Sequence, residues 1–108
     1  MLFIENPFPP MDIYETEESL VIEIDIPSID INDVKLVVDG SKLTIEGIRS
    51  KTAPSGVKYH IVERYSGRFR RTIELPFTPS SDGIKAVYKN GTLTVTISKR
   101  IYNIVLEG

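Results

Sequence analysis

Leu20-Val21-Ile22-Glu23-Ile24-Asp25-Ile26, halted by Pro27, places residues 20, 22, 24 and 26 on one side of an extended chain and both acids on the other. A period of two is the mark of a half-buried strand, because successive side chains in a strand point to opposite faces. Thr92-Leu93-Thr94-Val95-Thr96-Ile97-Ser98 repeats the pattern with hydroxyls as the polar partners. Working outward, residues 12–16 read as an edge strand, and 69–75 as a longer strand stopped by Pro76. Stretches 34–39 and 42–47 meet at Asp39-Gly40, and 84–89 and 92–98 meet at Asn90-Gly91. Both dipeptides suit tight hairpins because they tolerate positive φ. Residues 59–64 alternate enough for a further strand, and no segment reads as a helix. Seven to nine short strands punctuated in this way predict an all-β, antiparallel β-sandwich.

Composition agrees. Ile, Val and Thr supply 32 residues and Ala two, a choice that favours pleated strands because branched side chains are stiff at χ1. A length of 108 residues allows one core and no second domain. The absence of Cys excludes disulfides and thiolate zinc sites, and fits a reducing, cytoplasmic setting. No apolar run is long enough to span a bilayer, so no membrane partner is expected. The net charge of −2 conceals an uneven distribution: residues 1–34 hold nine acids and no Lys or Arg, and the remainder carries +7. The two parts either meet each other or mark a polyanion surface.

Catalytic chemistry finds little support. One histidine, His60, excludes a convincing Ser/His/Asp arrangement, the seven glycines are scattered through turns, and no cofactor or metal site is expected. The acids lie mostly on outward faces or in turns, with Asp30 and Asp33 reading as cap residues. Residues 49–71 combine seven bases and one acid with Tyr59, Tyr65 and Phe69, a pattern that can serve single-stranded nucleic acid. A pI near 5.4 argues against that target. Arg71 breaks the apolar face formed by Phe69, Ile73 and Leu75. An inward arginine needs a partner, unless it sits at the rim and reaches water.

Gly67-Arg68-Phe69-Arg70-Arg71-Thr72-Ile73-Glu74-Leu75-Pro76, followed by Ile84-Lys85-Ala86-Val87-Tyr88-Lys89-Asn90-Gly91-Thr92-Leu93-Thr94-Val95, resembles the α-crystallin domain of small heat-shock proteins. Within it lies the family's Ala-x-x-x-Asn-Gly-x-Leu signature. Met11-Asp12-Ile13-Tyr14-Glu15-Thr16, residues 20–27 and residues 34–49 are similar to the family's earlier strands, so the match runs in order over 11–99. Ser28 departs from it, standing where glycine is frequent, and Thr92 stands where Val is common.

The resemblance implies an immunoglobulin-like sandwich that dimerises by strand exchange. A strand around residues 57–62 would add to the partner's edge around 12–16, with Asp12, Ile13, Tyr14, Tyr59, Ile61 and Arg71 at the interface. It further implies a short arm over 1–10, whose Leu2, Phe3, Ile4 and Phe8 would touch clients. Residues 100–108 would form an extension carrying an Ile-x-Leu anchor, Ile104 and Leu106. That anchor either enters a groove lined by Leu36, Val38 and Val87 on a neighbouring dimer, or pairs along its own sandwich. The function implied is an ATP-independent holdase that binds itself and partly unfolded proteins. The alternative is a CS-domain-like co-chaperone module.

Overall fold

The computed structural model describes residues 8–49, 55–61 and 67–99. Seven strands form among them: β1 Met11–Glu15, β2 Ser19–Asp25, β3 Val34–Asp39, β4 Lys42–Arg49, β5 Gly67–Glu74, β6 Ile84–Lys89 and β7 Thr92–Ser98. All pairings are antiparallel and build a four-stranded sheet in the order β1-β2-β7-β6 and a three-stranded sheet in the order β3-β4-β5. The sandwich expected from the sequence is the one observed.

Alternation decides what is buried. Ile22, Ile24 and Ile26 from β2 and its end, Leu43 and Ile45 from β4, and Leu93, Val95 and Ile97 from β7 lie in one core cluster shared by both sheets. Burying each such side chain is worth about 1.5–3 kcal/mol. The outward hydroxyls Thr92, Thr94 and Thr96 stay partly solvated, so β7 is read correctly from its period.

The two tight hairpins differ. Lys89 pairs with Thr92 across Asn90 and Gly91, at φ 52° and 81°, the doubly positive turn anticipated for that dipeptide. In the other, Asp39 pairs with Lys42, so the central residues are Gly40 and Ser41 rather than Asp39 and Gly40. Only Gly40 has positive φ (61°), and the glycine takes the first central position, as a type II′ turn requires. The turn sits one residue later than expected because glycine satisfies either position.

Asp30 caps a short 3-10 turn at Ile31–Asp33 by accepting a hydrogen bond from the Asn32 N–H at 2.9 Å. Ser28 adopts φ 57°, a left-handed conformation that glycine holds without strain and that costs a side-chain-bearing residue about 1–2 kcal/mol. The family's frequent glycine at this place thus has a backbone reason.

One expected strand does not form among the described residues. Residues 59–61, the described part of 59–64, join no ladder. A strand exists only against a partner backbone, and residues 59–61 pair with none of the described strands.

Candidate functional site

The edge strand β1 is where the sheet stops. Pro10 accepts from the Asp25 N–H at 3.1 Å and the Thr16 N–H donates to Ser19 at 2.8 Å. In an antiparallel pair the residues exchanging hydrogen bonds alternate, so Asp12 and Tyr14 also turn their peptide groups towards β2. Met11, Ile13 and Glu15 therefore aim their N–H and C=O groups away from the sheet. Asp12, Ile13, Tyr14 and Glu15 are all exposed, Ile13 by 47%. Such an edge is a template for another strand.

Ile13 faces inward, paired with Ile22 in the core, yet it remains half exposed because the three-stranded sheet does not extend over it. Tyr14 points outward and donates to Glu23 Oε1 at 2.9 Å. That hydrogen bond, with smaller contributions from lost hydration and the Glu23 charge, raises the Tyr14 phenol above its ordinary pKa of 10.0. A raised phenol pKa means the neutral donor form is favoured in the fold. The contact therefore contributes fully below pH 10.0 and is lost as pH rises through the higher folded value. Ultraviolet titration, with Tyr14→Phe identifying the Tyr14 component, should show that component moving down in Glu23→Gln; no movement would remove Glu23 as the cause.

Residues 55–61 are exposed throughout. Val57, Tyr59 and Ile61 recur at a spacing of two and are exposed by 52%, 48% and 73%. They are apolar positions with strand periodicity but without a ladder.

Arg71 does face inward, in the cross-strand row with Ile45 and Leu36, and is half-buried. Its Nη1 donates to the Pro9 carbonyl at 2.7 Å, so one partner lies in the same chain. Sequence reasoning missed Pro9 because a main-chain carbonyl carries no residue-type signal. Phe8 packs edge-on against Phe69, ring centroids 5.7 Å apart, and Pro9 is fully buried. The expectation that Phe8 is presented to clients is corrected: it packs against the core, where its ring covers Phe69. The segment 8–10 likewise lies on the sandwich, which begins before residue 11.

Because the residues preceding β1 touch β5, those two edges flank one side of the sandwich, and β3 and β6 flank the other. On that second side Leu36 and Val38 point inward, opposite buried Ile45 and Leu43. Val87 does not join them. It pairs with Thr94 on the outer face, and the inward residues of β6 are Ile84, Ala86 and Tyr88. Counting from Asn90-Gly91, an even residue of β6 faces the core, and Val87 is odd; this signal was available in the sequence. Tyr88 closes the rim by donating its hydroxyl to the Ile26 carbonyl at 2.7 Å. Leu2, Phe3, Ile4, Ile104 and Leu106 lie outside the described residues.

A depression of about 620 Å³ lies elsewhere, near the 3-10 turn, lined by Asp33, Lys35, Glu46, Arg68 and Phe69 among others. It is wide open, and Glu46 there is already held by Arg70 at 2.9 Å. Among the described residues no group of three or more potential metal ligands converges, and no buried side-chain N or O lacks a partner. None of the described helices is long and apolar enough to cross a membrane.

The profile of the Hsp20/alpha crystallin family matches residues 12–104. The chain belongs to that family. The small heat shock protein C2 of Rickettsia felis is 37% identical over 97 residues, covering 89% of this chain and 63% of that protein. A 19.0 kDa class II heat shock protein of Oryza sativa is 41% identical over 100 residues, covering 84% of this chain and 57% of the relative. This Hsp20 chain thus spans about 57–63% of the length of these relatives. Among solved structures, a small heat-shock protein from Xylella fastidiosa superposes with a TM-score of 0.79 at 31% identity, covering 95% of each chain. Heat shock protein 16.0 from Schizosaccharomyces pombe gives 0.77 at 28% identity, with 92% of this chain and 97% of the other covered. The resemblance read from the sequence is that of a true Hsp20 domain, and these likenesses favour a small heat-shock protein over a CS-domain module.

Proposed function

We propose that this protein is an ATP-independent holdase whose working unit is a strand-exchanged dimer. The observation that carries the reading is the pairing of two unfinished elements: the outward peptide groups of Met11, Ile13 and Glu15 on β1, and the exposed alternation Val57, Tyr59, Ile61. Each supplies what the other lacks, a strand edge and a strand. Charge favours the same encounter, because the acidic residues 1–34 include β1 and the bases lie in the remainder. Addition of one strand to another's edge draws affinity from main-chain bonds and register from side chains at alternate positions.

On this reading the residues ahead of Phe8 form a short arm, 8–99 the domain and 100–108 an extension. Leu2, Phe3 and Ile4 contact clients, and Ile104 and Leu106 dock in the Leu36/Val38 groove of another dimer. Larger homo-oligomers follow. The work is capture of exposed apolar surface in the cytoplasm, with no catalytic step and with neither nucleic acid nor membrane as partner.

The test is light scattering of a heat-labile client without nucleotide. Equimolar chain should suppress aggregation by at least half. Undiminished scattering would overturn the holdase reading, and a dilute monomer in size-exclusion chromatography would overturn the dimer.

A further inference from the structure

The outer face of the three-stranded sheet carries its charge in rows. Across β3, β4 and β5 the pairings align Asp39, Lys42 and Glu74, then Val37, Thr44 and Thr72, then Lys35, Glu46 and Arg70. The signs run minus, plus, minus in the first row and plus, minus, plus in the third, with an uncharged row between them. Five of the six charged residues are exposed, and the sixth, Glu46, keeps 32% of its side chain in solvent. Alternation within a row has a local cause, since opposite charges on adjacent strands stabilise a sheet. Arg70 and Glu46 show it, 2.9 Å apart. The inversion between rows has no such cause. Residues four apart on a strand are separated by about 13 Å, beyond the screening length of about 8 Å at physiological ionic strength, so a lone sheet gains nothing from it.

We propose that this face packs on the same face of a second copy of the chain, about a two-fold axis running along the Val37–Thr44–Thr72 row. That rotation keeps each strand over its own copy and exchanges the outer rows. Asp39 of one chain then meets Lys35 of the other, Lys42 meets Glu46, and Glu74 meets Arg70, so every pair across the axis is of opposite sign. Residues on the axis meet themselves, and a charge there would repel its own copy; this row has none. Val37, 37% exposed, supplies an apolar contact, and threonine hydroxyls both donate and accept, so they can pair with their own copies. Aligned sheets cross at about 30°, which offsets rows about 7 Å from the axis by about 3.5 Å, a shift that lysine, arginine and glutamate side chains span. Ordering costs are lowered because Glu46 is already held by Arg70, and Glu74 accepts from Ser41 Oγ at 2.6 Å. Exposed ion pairs are individually weak, so the contact weakens with salt and dilution. It uses neither β1 nor residues 55–61 and is therefore independent of strand exchange.

The chain has no cysteine, so Thr72→Cys places a single thiol on the axis row, where Thr72 is exposed. Facing sheets lie about 10 Å apart, and a bis-maleimide of about that span should join two full chains at low salt. The yield should fall on the order of tenfold at about 1 M salt. Lys35→Glu and Asp39→Lys, each added separately to Thr72→Cys, should also lower the low-salt yield on the order of tenfold, because each sets two like-charge pairs across the axis. Mixed one to one, the two variants should return the yield to the parent level. In the mixed pair the two changed positions face each other, and the unchanged Lys35 and Asp39 meet. A misfolded chain could not be rescued in this way, and circular dichroism confirms the fold of each variant beforehand. Absence of cross-linking in Thr72→Cys, a yield indifferent to either reversal, or a mixture no better than its components would each overturn the proposal.

Discussion

Ile13→Pro is expected to leave a folded sandwich and weaken the dimer on the order of a hundredfold. The outcome follows from parity along β1. Ile13 turns its N–H away from β2, so the imino ring removes no bond of the β1–β2 ladder, and proline is tolerated on the free side of edge strands. Its side chain is already 47% exposed, which limits the lost burial. For an incoming strand the same substitution deletes a donor at the middle of β1 and sets a ring in the path of its neighbours. Two disrupted bonds at about 0.5–1.5 kcal/mol each, plus steric exclusion, come to about 2–3 kcal/mol, or nearly two decades of affinity. Tyr14→Pro is the contrasting variant, since Tyr14 bonds inward and its loss should lower stability instead. Sedimentation across a dilution series checks both. An Ile13→Pro chain that dissociates at the wild-type concentration would show that β1 is not the docking edge.

The parts of this molecule legible from sequence are those governed by a two-residue period. β2 and β7 reveal their buried faces because nearly every alternate residue is apolar, and Asn90-Gly91 fixes its turn because both positions need positive φ. What failed depends on information the period does not carry. A one-residue ambiguity in the Gly40 turn arises because glycine fits two turn types. The resemblance puts Val87 in the groove, whereas the count from the adjacent turn puts it outside. Phe8 reads as part of a free arm because nothing local signals that Phe69 lies beside it. Arg71 stands out in the sequence as a charge on an apolar face, while its partner, the Pro9 carbonyl, is invisible to any reading by residue type. Residues 59–61 show the limit most clearly: their alternation is real, but a strand needs a second backbone, and none of the described strands supplies it.

Gly47→Ala should destabilise the domain by about 3 kcal/mol or more, lowering the melting temperature on the order of 10 °C. Gly47 lies within β4, cross-strand from Phe69, and a Cβ there would sit 2.6 Å from the Asp33 carbonyl oxygen and 2.8 Å from Phe69 Cζ. A glycine inside a strand often marks such a close approach, and this one lets the aromatic ring lie over the bare backbone. Neither neighbour yields easily. The Asp33 carbonyl ends the 3-10 turn capped by Asp30, and the Phe69 ring is pressed between the core and Phe8. Displacing Phe69 would also loosen the contact that seats Phe8 beside the Arg71–Pro9 hydrogen bond, so the methyl group acts on the arm as well as on β4. Calorimetry measures the first effect, and faster exchange of the Asp25 amide, which donates to the Pro10 carbonyl, measures the second. Adding Phe69→Leu removes Cζ but leaves the Asp33 carbonyl in place, so it should recover only part of the loss. Full recovery would assign the whole penalty to the ring, and an unshifted melting temperature in Gly47→Ala would show that the backbone around Asp33 gives way freely.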